Sequence, residues 1–126
     1  MPYQSGFGRI RRRQVLQYQR FYNGYWWERA LNLIYGTQLE ILEHLERKGD
    51  SGDKYVNLVP FFEAFRRRGG SPATQMADYL AFLQSMKLMC YAERDGESIV
   101  KITPFGVNFL SYLRASYPGG YKFKPW

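Results

Sequence analysis

Apolar side chains recur at three- and four-residue steps through most of the chain and give way to alternation once, between Met89 and Ile102. That pattern predicts a mainly helical protein with one β-hairpin. A first helix is predicted over residues 9–22, where Val15, Tyr18 and Tyr22, and beyond them Tyr25, recur at three- and four-residue steps, and Arg13, Gln17 and Arg20 lie on another face. Asn23-Gly24 is a turn signal, after which Tyr25-Trp26-Trp27 leads into a longer helix over 28–48. Leu31, Ile34, Tyr35, Leu42 and Leu45 form its buried stripe, flanked by Gln38 and Ile41, while Glu40, Glu43, His44 and Arg47 face water. Gly49 ends it and opens a polar loop.

An extended piece at Tyr55-Val56 precedes Asn57, whose side chain suits a cap for a helix over 58–68. Pro60 fits the first turn, where its missing N–H costs nothing, and Arg66, Arg67 and Arg68 fall at the end that favours cations. Gly69-Gly70 makes a turn, Ser71 caps and Pro72 begins a third helix over 72–87, with Met76, Tyr79, Leu80, Leu83 and Met86 inward. Strands 89–94 and 98–102 flank Asp95-Gly96, a strong hairpin signal because both residues tolerate a positive φ. Thr103 caps and Pro104 starts a last helix to Ser116, with Phe105, Phe109, Leu110 and Leu113 inward. Pro118-Gly119-Gly120 follows, and then Tyr121-Lys122-Phe123-Lys124-Pro125-Trp126.

A capped helix, a tight hairpin and a second capped helix in this order form the back half of a winged helix-turn-helix. The stretch from Tyr35 to Leu113 resembles the winged-helix domains of bacterial and archaeal transcription regulators such as the MarR and PadR groups, with no single family matched. Ser71-Pro72-Ala73-Thr74 resembles the start of their recognition helix. Ile102-Thr103-Pro104-Phe105-Gly106, followed by Phe109-Leu110, resembles the threonine-proline-x-glycine signature that closes their wing. The chain differs from them in two places. Met86-Lys87-Leu88-Met89 has no glycine after the recognition helix, and the wing tip Glu93-Arg94-Asp95-Gly96-Glu97 sets three acids against one base. The expected class is mainly α with a small β-hairpin wing (α+β), with an extra N-terminal helix and a C-terminal aromatic tail. Its expected divisions are 1–27 (basic, aromatic arm), 28–116 (winged-helix domain) and 117–126 (aromatic, basic tail).

Length and composition suit one folded domain, since 126 residues are 45% hydrophobic. No apolar run approaches the roughly 18 residues of a membrane span, no signal-peptide pattern opens the chain, and the lone Cys90 fits a reducing compartment. The cytoplasm is the expected location. The net charge of +7 is uneven: residues 1–30 carry six Arg and one acid (+5), 31–113 carry nine bases and ten acids (−1), and 114–126 carry three bases (+3). The two ends also hold 12 of the 23 aromatic residues, too many for solvated tails. Packing across a homodimer is the expected use of these rings, with packing along the first helix also open to the C-terminal run; stacking on single-stranded bases is the alternative for that run.

If the third helix enters a major groove, its outward residues are Thr74, Gln75, Asp78, Ala81, Phe82 and Ser85. Gln75 suits bidentate pairing with adenine, and Thr74 suits a phosphate or a thymine methyl; the bland alternative is a solvated face. Arg66, Arg67 and Arg68 are phosphate candidates, against simple dipole matching. Arg11, Arg12 and Arg13, with Arg9, suit a basic arm on a neighbouring groove, against the wet side of an amphipathic helix. Catalysis has a poor inventory. His44, the only histidine, has Glu40 and Arg47 as helix neighbours, Cys90 has no activating base nearby, and one Cys with one His cannot complete a zinc site. No enzyme, cofactor or metal is expected. The expectation is a dimeric, cytoplasmic winged-helix DNA-binding protein, a transcriptional regulator or accessory DNA-binding factor. Its rival is a winged-helix protein–protein interaction module without direct DNA binding, using the neutral body, the acidic wing tip and Phe82.

Overall fold

The computed structural model describes residues 24–126. The expected helix over 9–22 and the arginines it carries lie outside the described residues. The chain divides into two compact units, Met1–Leu33 and Ile34–Trp126. In the first, residues 24–33 are helical (α1). The second is mainly helical with a small three-stranded antiparallel sheet, an α+β fold. Its elements are α2 (Gly36–Lys48), β1 (Asp53–Lys54), α3 (Val59–Arg67), α4 (Met76–Ser85), β2 (Met89–Arg94), β3 (Glu97–Ile102) and α5 (Pro104–Ser116), with 3₁₀ turns at Gly49–Ser51 and Tyr55–Leu58. Among the described residues no helix is long and apolar enough to cross a membrane.

The single helix expected over 28–48 is two helices, because Tyr35 is extended (φ −88°, ψ 155°). Its N–H donates to the Gln38 side chain at 2.8 Å, so a residue placed on the helix face as a polar neighbour instead starts the helix. Leu39, Ile41, Leu42 and Leu45 then form the buried stripe of α2. Two further expectations shift for similar reasons. Tyr55-Val56 belongs to a 3₁₀ turn, and Asn57 does not cap α3: its side-chain amide donates to Asp53 Oδ1 at 2.7 Å.

The third helix starts at Met76, not Pro72. Ser71-Pro72-Ala73-Thr74 is a β-turn closed by Thr74 N–H donating to the Ser71 carbonyl at 3.2 Å, with Pro72 at the position whose fixed φ suits it. Gln75 is extended (φ −91°, ψ 152°) and precedes the helix. Tyr79, Leu80 and Leu83 are buried as expected from their spacing, while Met76 is half-buried. At the other end Lys87 takes φ 62°, the left-handed conformation that glycine usually supplies. Lys87 N–H donates to the Gln84 carbonyl at 2.9 Å and Leu88 N–H to the Leu83 carbonyl at 3.0 Å, which closes the helix in a Schellman motif.

The sheet order is β1-β3-β2. Arg94 pairs with Glu97 across Asp95 (φ 54°) and Gly96 (φ 76°), the two positive φ values of a type I′ turn. Thr103 caps α5 by accepting from Gly106 N–H at 2.9 Å, while its hydroxyl donates to the Lys87 carbonyl at 2.6 Å. Gly106 is required there, since a Cβ would stand 2.3 Å from the Leu88 carbonyl oxygen. The start of α5 is thereby tied to the end of α4. Phe109, Leu110 and Leu113 complete a core with Leu58, Phe65 and Val100, each such side chain stabilising by about 1.5–3 kcal/mol relative to exposure.

Candidate nucleic-acid interface

Three of the candidate residues, Arg66, Thr74 and Gln75, meet at the corner between α3 and α4. Phe62 and Phe65, one turn apart on α3, stack on each other at 6.0 Å and pack on Tyr79 of α4 at 5.2 and 4.9 Å; Tyr35 meets Phe65 at 5.0 Å. This aromatic cluster fixes the angle between the helices. The Arg66 guanidinium lies 4.5 Å above the Phe62 ring, and Nη2 donates to the Thr74 carbonyl at 3.2 Å. A cation held between ring and carbonyl is preorganised, so less side-chain entropy is lost when it meets an anion. The spacing Phe62 to Arg66, four residues on a helix, is the signal that locates this contact in the sequence.

The other two arginines differ. Arg67 is exposed and has no partner among the described residues. Arg68 pairs with Glu40 of α2 at 2.9 Å, half in solvent, so much of its charge is already answered within the protein. No local sequence signal marks that pair, which spans 28 positions. Of the residues expected to face outward, Thr74 and Gln75 precede the helix, Thr74 half-buried with its carbonyl occupied and Gln75 exposed, while on the helix Asp78, Ala81 and Ser85 are exposed and Phe82 is half-buried. Arg66, Thr74 and Gln75 are thus brought together. Arg9, Arg11, Arg12 and Arg13 lie outside the described residues.

The hairpin tip remains acidic. Its one base, Arg94, donates to the Ser51 carbonyl at 2.9 Å, and Lys54 pairs with Glu97 at 3.1 Å. Glu93 and Asp95 are exposed with no partner among the described residues. Beside this tip Tyr55 and Tyr91 lie 6.4 Å apart, and Val56 is 63% exposed.

His44 does not pair with Glu40 or Arg47. Its Nε2 lies 2.6 Å from Asp53 Oδ2, and the same carboxylate accepts from Lys54 N–H at 2.8 Å and from Asn57. Burial pushes the Asp53 carboxyl up, but the donors Asn57, His44 and Lys54 outweigh it and hold the group below the ordinary carboxylate range. The chain reversal through Gly49–Ser51 that brings β1 back to α2 is what the sequence does not announce. Among the described residues no group of three or more His, Cys, Asp or Glu could hold a metal ion.

Residues 117–126 belong to the second unit and pack within it. Tyr121 is buried and donates to Glu43, which also pairs with Lys122 at 2.6 Å. Burial and that hydrogen bond push the Tyr121 phenol up to about 12. Trp126 meets Tyr35 edge-on at 6.4 Å, while Phe123 is 66% exposed. No protein-family model, curated protein or solved structure matches the chain.

Proposed function

We propose that the chain is a winged-helix DNA-binding protein, a transcriptional regulator or accessory DNA-binding factor in the manner of the MarR and PadR groups. The order α2-β1-α3-α4-β2-β3-α5 with a β1-β3-β2 sheet supports this reading, because it is the order a winged helix-turn-helix requires. In the proposed complex α4 lies in the major groove, Gln75 reaches a base edge, and Arg66 and Arg67 neutralise phosphates beside it. The arginines at 11–13 add a basic arm.

One observation carries the reading: Arg66 is held by the Phe62 ring and the Thr74 carbonyl at the start of α4, next to exposed Gln75. Fold alone would not do so. The test is a salt series with a generic duplex. Affinity falls steeply with salt, and an Arg66→Ala, Arg67→Ala, Arg68→Ala variant loses most of it while its circular dichroism stays unchanged. A salt-insensitive interaction, or none, ends the proposal.

The acidic tip favours a second reading. With Arg94 and Lys54 occupied internally, Glu93 stands two residues from exposed Tyr91 on β2, and exposed Val56 shares a hollow with Glu97, a surface better suited to a protein than to phosphates. Under this reading the module binds a protein partner and leaves DNA alone. The dimer is a separate proposal, resting on the aromatic residues of 1–33, since Tyr121 and Trp126 are used within their own unit. Light scattering at micromolar concentration gives twice the 14.9 kDa chain mass if it holds and the single mass if it does not.

A further inference from the structure

Residues 121–126 return to the first turn of α2 and meet it through main chain as well as rings. The Trp126 carbonyl accepts from Thr37 N–H at 3.2 Å and from the Thr37 hydroxyl at 3.3 Å. Gly36 makes the approach possible, because a Cβ there would stand 2.8 Å from the Lys124 carbonyl oxygen. The contact continues inward. The Tyr79 hydroxyl on α4 donates to the Thr37 hydroxyl, the Gln38 side-chain amide donates to the Tyr79 carbonyl at 2.8 Å, and Tyr79 N–H donates to the Gln75 carbonyl at 3.0 Å. Thr37, Gln38 and Tyr79 are at most 2% exposed.

We propose that segment 121–126 is a strap that sets the position of α4, and through Tyr79 the position of Gln75, for the groove contact proposed above; the inference rests on that reading for its function but not for its geometry. Apolar covering of the core would need only the Tyr121 and Trp126 rings. What needs explaining is a buried polar relay that is complete only when the strap is seated. With the strap away, Thr37 loses the acceptor for its N–H and its hydroxyl, and the Tyr79 hydroxyl is left with a partner that is no longer fixed, so both re-pair by shifting. Tyr79 is then a positioning residue, since it touches no duplex itself. Anything that draws the strap away, such as a partner seizing exposed Phe123, would weaken the grip without touching the arginines.

Coupling of this kind is reciprocal, which supplies the test. Hydrogen exchange is followed in the full chain and in two variants, Gly36→Ala, which wedges the strap, and Tyr79→Phe, which cuts the relay but keeps the ring. We expect Gly36→Ala to speed exchange of the Thr37 amide, which the Trp126 main-chain oxygen holds, and also of 76–83, and Tyr79→Phe to speed exchange of the Thr37 amide from the far end. Both should weaken duplex binding by about fivefold or more with an unchanged salt slope, because no phosphate contact is lost. The strap is overturned if Tyr79→Phe leaves the Thr37 amide protected, or if Gly36→Ala frees the Thr37 amide while 76–83 stays protected. It is also overturned if affinity falls only with a shallower slope. Should Gly36→Ala not fold, Tyr79→Phe decides alone. Reciprocal exchange in a chain that binds no duplex keeps the strap and ends the DNA reading.

Discussion

Lys87 holds a left-handed backbone that an L side chain adopts at a cost of about 1–2 kcal/mol. Its main chain is fully used: the N–H closes α4 on Gln84, and the carbonyl accepts from the Thr103 hydroxyl. The exposed ammonium has no partner among the described residues, so the side chain contributes little. Lys87→Gly should therefore stabilise the protein, by about 0.5–1 kcal/mol after the extra unfolded-state freedom of glycine is counted. A rise in urea midpoint at constant m-value checks it, and a fall would mean that the lysine makes a contact worth more than the strain. Legibility at this scale follows from how local the cause is. Asp95-Gly96 and Thr103-Pro104 advertise their conformations because the residues themselves prefer them, and both form where their chemistry places them. Lysine advertises nothing of the kind. The Schellman closure is imposed by the backbone of α4 and by Leu88 being buried beyond it.

Elements are legible in type more than in number or ends, since the helix expected over 28–48 is two and the hairpin gains a third strand, β1. The stripe Tyr79, Leu80, Leu83 and the strands of the hairpin follow from period alone. The starts of α2 and α4 do not, because period says nothing of the polar contacts that set them: Gln38 on the Tyr35 N–H and Trp126 on Thr37 for α2, the Ser71–Thr74 turn and Arg66 on the Thr74 carbonyl for α4. The same holds for the polar ties between elements. Asp53 joins β1 to α2 through His44, and Glu43 joins α2 to the strap through Lys122 and Tyr121. Burial raises both carboxyl groups, but their donors prevail and hold each below its ordinary value. A carboxyl depressed by folding stabilises in full above the ordinary range of about 4 and loses that stabilisation as pH falls through the lower folded value. Urea midpoints of the wild-type chain should thus drop between about pH 5 and pH 2. Asp53→Asn and Glu43→Gln should each start lower at neutral pH and drop less over that interval. A variant with the wild-type acid slope would show that its carboxylate is not held by these donors in solution.

At the scale of the whole molecule the question is where attraction to a polyanion comes from. Residues 34–126 carry twelve bases and ten acids, whereas 1–33 carry six arginines and one acid. Within the second unit Lys54, Arg68, Arg114 and Lys122 are further engaged with carboxylates. The proposed DNA reading therefore needs the arginines of the first unit, although the groove-facing residues lie in the second. Two triple variants in the full chain separate the contributions, each removing three positive charges. If Arg11, Arg12 and Arg13 each meet a phosphate, replacing them by alanine makes the log–log salt slope shallower by about 2.7, at roughly 0.9 per contact. Replacing Arg66, Arg67 and Arg68 should change it by about 1.8 by the same rule, because Arg68 already answers Glu40. The arm should thus govern salt dependence, while Gln75→Ala lowers discrimination between duplexes without moving the slope. An arm variant that keeps the wild-type slope would place those guanidinium groups away from the duplex. Of the candidate groups only Arg66 and Arg67 would then remain to meet phosphates, too few for a steep salt dependence, and the protein-partner reading would take precedence.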